Sequence, residues 1–207
     1  MGFCPGCGGP AALVEVAARR ERSSALRPAR VVPVTEVGLE QGARRPTGLD
    51  EVDRVLGGGL VPGATLLVGG EPGVGKSTLL LQVAGALAAT GRTALVASAE
   101  ESAAQVALRA GRLGLAHPGI LLASERDVDA IVAAADELRP DLLVVDSIQT
   151  VAAAEVGGTP GGVAQVCEAA ARLVHFSKES SVPVALVGHV TKDGSIAGPR
   201  LLEHAVD

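Results

Sequence analysis

Eight consecutive residues, Gly70-Glu71-Pro72-Gly73-Val74-Gly75-Lys76-Ser77, carry the spacing G-x-x-x-x-G-K-[ST] of a phosphate-binding loop. Glycines in such a loop let successive backbone N–H groups curl around phosphate oxygens without Cβ clashes. Lys76 supplies a point charge to the outer phosphates, and the Ser77 hydroxyl is the kind of oxygen that ligates Mg²⁺. Thr78 follows in the helix that the loop must open, whose N-terminus favours an anion by up to ~2 kcal/mol. The chemistry these residues can do is that of a nucleoside triphosphate with Mg²⁺.

Three further positions have the chemistry to complete such a site. Asp146 closes the apolar run Leu142-Leu143-Val144-Val145. At the carboxyl end of a parallel strand it faces the same crevice as the loop and can hold Mg²⁺ through a water; the competing reading is an Asp that caps the next turn. Glu100 and Glu101 follow the run ending at Ser98. Glu100 is the candidate to orient or deprotonate the water that attacks the γ-phosphate, and Glu101 is the second choice. Ser98 and Glu101 also have the S-x-x-E spacing of a helix capping box. His189 ends the last apolar run, where a polar side chain can sense the γ-phosphate. The Gly-rich, basic stretch behind it offers Lys192 and Arg200 as contacts to DNA phosphates, against the plain alternative of a surface loop.

The elements that must position these residues alternate regularly. Ala64–Val68 reads as a strand between Gly63 and Gly69, and a helix follows from Thr78 to about Thr90, where Gly91 stops it. Strands are expected at Thr93–Ala97, Ile120–Ala123, Leu142–Val145 and Val184–Val187, and helices at Ser102–Leu113, Val128–Leu138 and Val163–Glu179. Ahead of the loop, Leu49, Val52 and Leu56 share one face of a short capped helix that a glycine run ends. Short strands that are apolar on both faces, separated by helices, imply an α/β fold with a mainly parallel sheet covered on both sides.

Composition narrows the function classes. The chain has 207 residues, 47% hydrophobic and 20% charged, with a net charge of −5. That balance argues against binding a polyanion over the whole surface. Residues 1–45 carry seven Arg against four Glu, a solvated basic segment. With no Trp, no Tyr and two Phe, base stacking on aromatic platforms is nearly excluded, so nucleic-acid contacts fall to Arg, Lys and backbone amides. Cys4 and Cys7 form a C-x-x-C knuckle on a tight Gly turn, two of the four ligands a structural Zn²⁺ needs, so the site is incomplete. Cys167 reads as a small buried hydrophobe. No secretory signal opens the chain and no apolar run approaches a membrane span, so the expected location is cytoplasmic, with no membrane partner.

Together these residues resemble the RadA (Sms) family of bacterial DNA repair proteins, relatives of RecA. The matching stretches are T-G-L-D-E-V-D-R-V-L-G-G-G-L-V-P-G at 47–63, G-E-P-G-V-G-K-S-T-L at 70–79, S-A-E-E-S at 98–102 and V-V-D-S-I-Q-T at 144–150. The most specific is G-H-V-T-K-D-G-S-I-A-G-P-R-L-L-E-H at 188–204. The resemblance implies a RecA-like P-loop NTPase core in which Lys76, Ser77 and Asp146 handle nucleotide and Mg²⁺. It further implies Glu100 as the catalytic glutamate, His189 as a γ-phosphate sensor, and Glu155–Gly162 and Thr191–Arg200 as DNA-facing loops. The implied activity is a DNA-dependent ATPase that promotes branch migration of recombination intermediates. Its implied partners are single-stranded and branched DNA, other copies in a homo-oligomeric ring, and a recombinase.

Family members begin with a four-cysteine zinc ribbon and continue into a K-N-R-F-G motif and a protease-like domain. The expectation is therefore a chain truncated at both ends. It would comprise a ribbon remnant at 1–14, a linker at 15–45 and a C-terminally incomplete core at 46–207. Alternatives are a RecA-like signalling or clock-type ATPase, which would lack the 188–204 signature, and a nucleic-acid adaptor with a non-catalytic ATP-binding core. A small-molecule kinase would need an acceptor pocket and usually a lid of clustered Arg.

Overall fold

The β-rich runs and the helical runs settle into the alternation that their periodicity predicts. The structure is a computed structural model that describes residues 32–36, 43–159, 161–189 and 206–207. The chain divides into two compact units, residues 1–37 and 38–207. In the first, the described residues form a 3-10 turn at Val34–Glu36, closed by the Glu36 N–H donating to the Pro33 carbonyl at 3.0 Å.

The second unit holds, in chain order, α1 (Asp50–Val55), β1 (Thr65–Gly70), α2 (Lys76–Ala89), β2 (Ala94–Ser98) and α3 (Ala103–Arg112). It continues with β3 (Ile120–Ala123), α4 (Val128–Leu138), β4 (Leu142–Asp146), α5 (Val163–Ser180) and β5 (Val184–His189). The five strands form one sheet in the order β1-β5-β4-β2-β3, and every pairing is parallel. This is the core expected of a RecA-like P-loop NTPase.

Two-sided burial explains why β4 is apolar from Leu142 to Val145. Leu143 and Val145 pack with Ile131 of α4 and with Val166 and Leu173 of α5. Leu142 and Val144 turn to the opposite face and meet Leu80, Val83, Ala84 and Leu87 of α2. Each of these residues is buried. Fully burying a Val or Leu side chain contributes about 1.5–3 kcal/mol, so both faces hold the sheet to its helices.

Local capping departs from the sequence reading in two places. The reciprocal capping box of α3 lies four residues beyond Ser98, at Ser102 and Gln105, while between Ser98 and Glu101 only the bond from the Glu101 N–H to the Ser98 hydroxyl forms. The Ser102 hydroxyl accepts from the Gln105 N–H, and Gln105 Oε1 accepts from the Ser102 N–H at 2.9 Å. Both spacings are S-x-x-[E/Q], and the one that wins sits where the backbone first becomes helical. At α1 the N-cap Leu49 has no polar side chain to accept a hydrogen bond. Asp53, one turn in, reaches back instead and accepts from the N–H groups of Thr47 at 2.8 Å and Gly48 at 3.3 Å.

Candidate functional site: a nucleotide crevice at the carboxyl edge of the sheet

The phosphate loop joins β1 to α2. α2 begins at Lys76, two residues earlier than the apolar periodicity suggests, so the lysine and Ser77 both belong to its first turn. Leu79 is the first residue whose N–H finds a carbonyl one turn back, that of Gly75 at 2.8 Å. The N–H groups of the first turn have no such partner inside the helix and are free for an anion. Gly73 and Gly75 have φ of +82° and +103°, a region that side-chain-bearing residues rarely adopt. At Gly70 the constraint is closeness: a Cβ there would stand 2.9 Å from the Val74 side chain.

Lys76 is buried, and its ammonium donates to the carbonyls of Gly70 at 2.7 Å and Glu71 at 2.9 Å. An ammonium has three donors, so one remains for a phosphate oxygen while the loop itself anchors the other two.

The strand order lays out the rest of the crevice. β5 lies between β1 and β4, and His189 at its end is the register partner of Gly70. On the far side of β4, Ser98 is the register partner of Asp146. With strands ~4.8 Å apart, the ends of β1 and β4 are separated by about 10 Å of sheet edge, with His189 between them. The Asp146–Ser147 peptide is cis.

Glu100 leaves the end of β2 and crosses toward this gap. Its Oε1 accepts from the Ser147 hydroxyl at 2.7 Å and lies 3.4 Å from His189 Nε2. Ser147 and His189, distant in sequence, thus both come within hydrogen-bonding reach of Glu100, at the sheet edge where His189 pairs with the first residue of the phosphate loop.

Glu101 is engaged elsewhere. Its carboxylate pairs with Arg109 of α3 at 2.9 Å, and its N–H donates to the Ser98 hydroxyl at 3.1 Å. Behind Glu100, the Arg126 Nε donates to the Ala99 carbonyl at 3.0 Å. The neighbouring Glu125 carboxyl titrates below its ordinary range because the N–H groups of Asp127 and Arg126 donate to it.

The described part of the segment Glu155–Gly162 is irregular and follows β4. It is tied to α5 by Gln165, which donates to the carbonyls of Ala153 and Val156 and accepts from the Ala153 N–H. Lys192 and Arg200, and the cysteines Cys4 and Cys7, lie outside the described residues. Among the described residues no group of three or more His, Cys, Asp or Glu gathers as a metal site, and no helix is long and apolar enough to cross a membrane.

Sequence reasoning passed over Ser147. It is a small hydroxyl directly after a strand-end aspartate, a cue that gains meaning only once Glu100 is seen to arrive beside it.

A family model described as an AAA domain matches residues 39–195. Among curated relatives, the DNA repair protein RadA of Bacillus subtilis (strain 168) is 45% identical over 215 residues, covering 100% of this chain and 47% of the relative. RadA of Escherichia coli (strain K12) is 50% identical over 179 residues, covering 86% of this chain and 39% of the relative. RadA of Mycobacterium tuberculosis (strain ATCC 25618 / H37Rv) is 46% identical over 214 residues, covering 100% and 45%. The chain spans about half the length of the curated relatives it matches.

Proposed function

Because the chain belongs to the AAA domain family, in its bacterial RadA branch, we propose that it is the ATP-hydrolysing core of a DNA-dependent repair ATPase. The observation that carries this reading is the placement of the Glu100 carboxylate. It stands 3.4 Å from His189, whose backbone pairs with the first residue of the phosphate loop. A carboxylate beside the γ-phosphate end of such a loop is what ATP hydrolysis needs and what mere nucleotide storage does not.

The roles follow from the positions. The loop 70–78 holds the triphosphate through first-turn N–H groups and the Lys76 ammonium. Ser77 and Asp146 are hard oxygen donors of the type Mg²⁺ takes, one hydroxyl and one carboxylate, with waters completing its shell. When bound, the ion neutralises charge on the β- and γ-phosphates. Glu100 orients the attacking water and accepts its proton, while Glu101, paired with Arg109, is left to hold α3. Positioned acid–base groups of this kind contribute ~10²–10⁴-fold.

His189 touches both sides of the coupling. Its backbone lies against Gly70 and its imidazole against Glu100, and Lys192 follows it by three residues. A change at the γ-phosphate can therefore reach the loop that carries Lys192 and Arg200, the proposed contacts to DNA phosphates. Acting as part of a ring on branched DNA, such a core would drive branch migration of recombination intermediates.

The test is the rate of phosphate release from Mg·ATP with and without single-stranded DNA, for the 207-residue chain and for a full-length RadA carrying this core. Stimulation by DNA supports the reading. ATP bound by both proteins and hydrolysed by neither, with or without DNA, would leave a non-catalytic core.

A further inference from the structure

Ser147 makes a contact that none of the site's other groups explains. The residue has no exposed surface, and it lies between β4 and a 3-10 turn, Ile148–Thr150. That turn clamps it. The Ser147 carbonyl accepts from the Thr150 N–H at 3.1 Å and from the Thr150 hydroxyl at 2.8 Å. The neighbours Ile148 and Val151 are themselves completely buried.

The Ser147 hydroxyl has one hydrogen to give. Thr150 Oγ1 is 3.5 Å away, whereas Glu100 Oε1 is 2.7 Å away, the length of a charge-assisted O–H···O⁻ bond. The hydrogen goes to Glu100.

Glu100 needs that anchor. Its side chain is 42% exposed, and it projects from a bend rather than from a strand or helix. A glutamate left free there samples many rotamers, which costs entropy each time it must face the substrate. Both observed contacts, from Ser147 and from His189, fall on Oε1. Among the described residues Oε2 has no partner.

We infer that Ser147 is a positioning residue: its buried hydroxyl fixes Glu100 by Oε1 and so reserves Oε2 for the attacking water. This rests on Glu100 being the general base proposed above. The two partners differ in kind. Ser147 is completely buried, while the His189 side chain is 30% exposed at the end of β5. The carboxylate is thus held from one side by a core hydroxyl and flanked on the other by a strand-end imidazole.

The experiment is a double-mutant cycle on Ser147→Ala and Glu100→Gln, with kcat and KM for Mg·ATP measured in the presence of single-stranded DNA and folding followed by thermal melts. Misplacing a catalytic group by about 1 Å costs up to about 100-fold. Ser147→Ala is therefore expected to lower kcat by about 10–100-fold while KM changes little. In the Glu100→Gln background the same change is expected to have almost no further effect, because the group it positions is already gone. Should Ser147→Ala lose its fold, Ser147→Cys serves instead, since its thiol fills the site, being somewhat larger than the hydroxyl, but donates poorly.

A Ser147→Ala enzyme with the parent's kcat, or an equal drop in both backgrounds, overturns the inference and leaves the Glu100 assignment standing. Glu100→Gln turning over like the parent, or a parent without turnover, removes that assignment and the inference with it.

Discussion

At the scale of single residues, some side chains of the crevice are already committed to the protein and others are left for the substrate. Lys76 divides itself between the two, with its ammonium on the carbonyls of Gly70 and Glu71. Lys76→Ala is expected to abolish hydrolysis and weaken nucleotide binding. It should also loosen the loop, since each lost hydrogen bond contributes about 1 kcal/mol. Titration calorimetry with ATP and a thermal melt check both halves; an unchanged ATPase would remove the lysine from the site. The two adjacent glutamates separate in the same way. Within S-A-E-E-S only the capping spacing from Ser98 to Glu101 distinguishes them. The fold does so by setting an Arg109 on α3 against Glu101 and a Ser147 after β4 against Glu100. Both partners are distant in sequence, so these contacts could not be read from the motif that made Glu100 the first choice and Glu101 the second. Glu101→Gln is accordingly expected to slow turnover far less than Glu100→Gln.

At the scale of elements, the apolar runs were readable because burial on both sheet faces leaves an unbroken signal. β3 and α4 run over the residues the pattern predicts, Ile120–Ala123 and Val128–Leu138. The insertion of β5 between β1 and β4 was not readable, since strand order is decided by packing across the whole sheet and leaves no local trace. Yet that insertion is what brings His189 beside Gly70. The cap of α1 gives a pH-dependent test. Partial burial pushes the Asp53 carboxyl up, but the Thr47 and Gly48 N–H groups and the Thr47 hydroxyl outweigh it, so its pKa falls below the usual aspartate value. A depressed carboxyl stabilises the fold above its unfolded pKa, near ~3.9, and that contribution fades as the pH drops through the folded value. Asp53→Asn is expected to cost about 1 kcal/mol near neutral pH. Its deficit should shrink toward about pH 3 in urea titrations, and a deficit independent of pH would deny the charged cap. Gly59 tests the approach to β1. Its φ is +124°, and a Cβ would stand 2.2 Å from the Arg45 carbonyl, in the bridge where Arg45 and Leu60 exchange N–H···O bonds at 2.8 Å. Gly59→Ala is expected to lose more than about 1 kcal/mol, whereas Gly157→Ala, with nothing within 4 Å of the new Cβ, stays within about 0.5 kcal/mol. Comparable melts for the two would contradict the geometry.

At the scale of the whole molecule, the proposed contact of an acidic chain with almost no aromatic residues to DNA falls to a few cations rather than to its overall charge. Lys192 and Arg200 follow in sequence the strand that ends at His189, which is why the proposal links DNA contact to nucleotide state. Each phosphate contact on a single strand contributes a slope of about −0.7 to the dependence of log affinity on log salt. Replacing both residues by Ala in the full-length protein is expected to weaken binding and flatten that slope by about 1.4; an unaltered slope would place the DNA path elsewhere. The central claim, that this crevice hydrolyses ATP with Glu100 as the base, meets its most direct test in one comparison. Phosphate release from saturating Mg·ATP, with single-stranded DNA present, is measured for the parent and for Glu100→Gln alongside equilibrium ATP binding. The variant is expected to bind ATP like the parent and to release phosphate ~10²–10⁴-fold more slowly. A variant that hydrolyses at the parent's rate would contradict that claim.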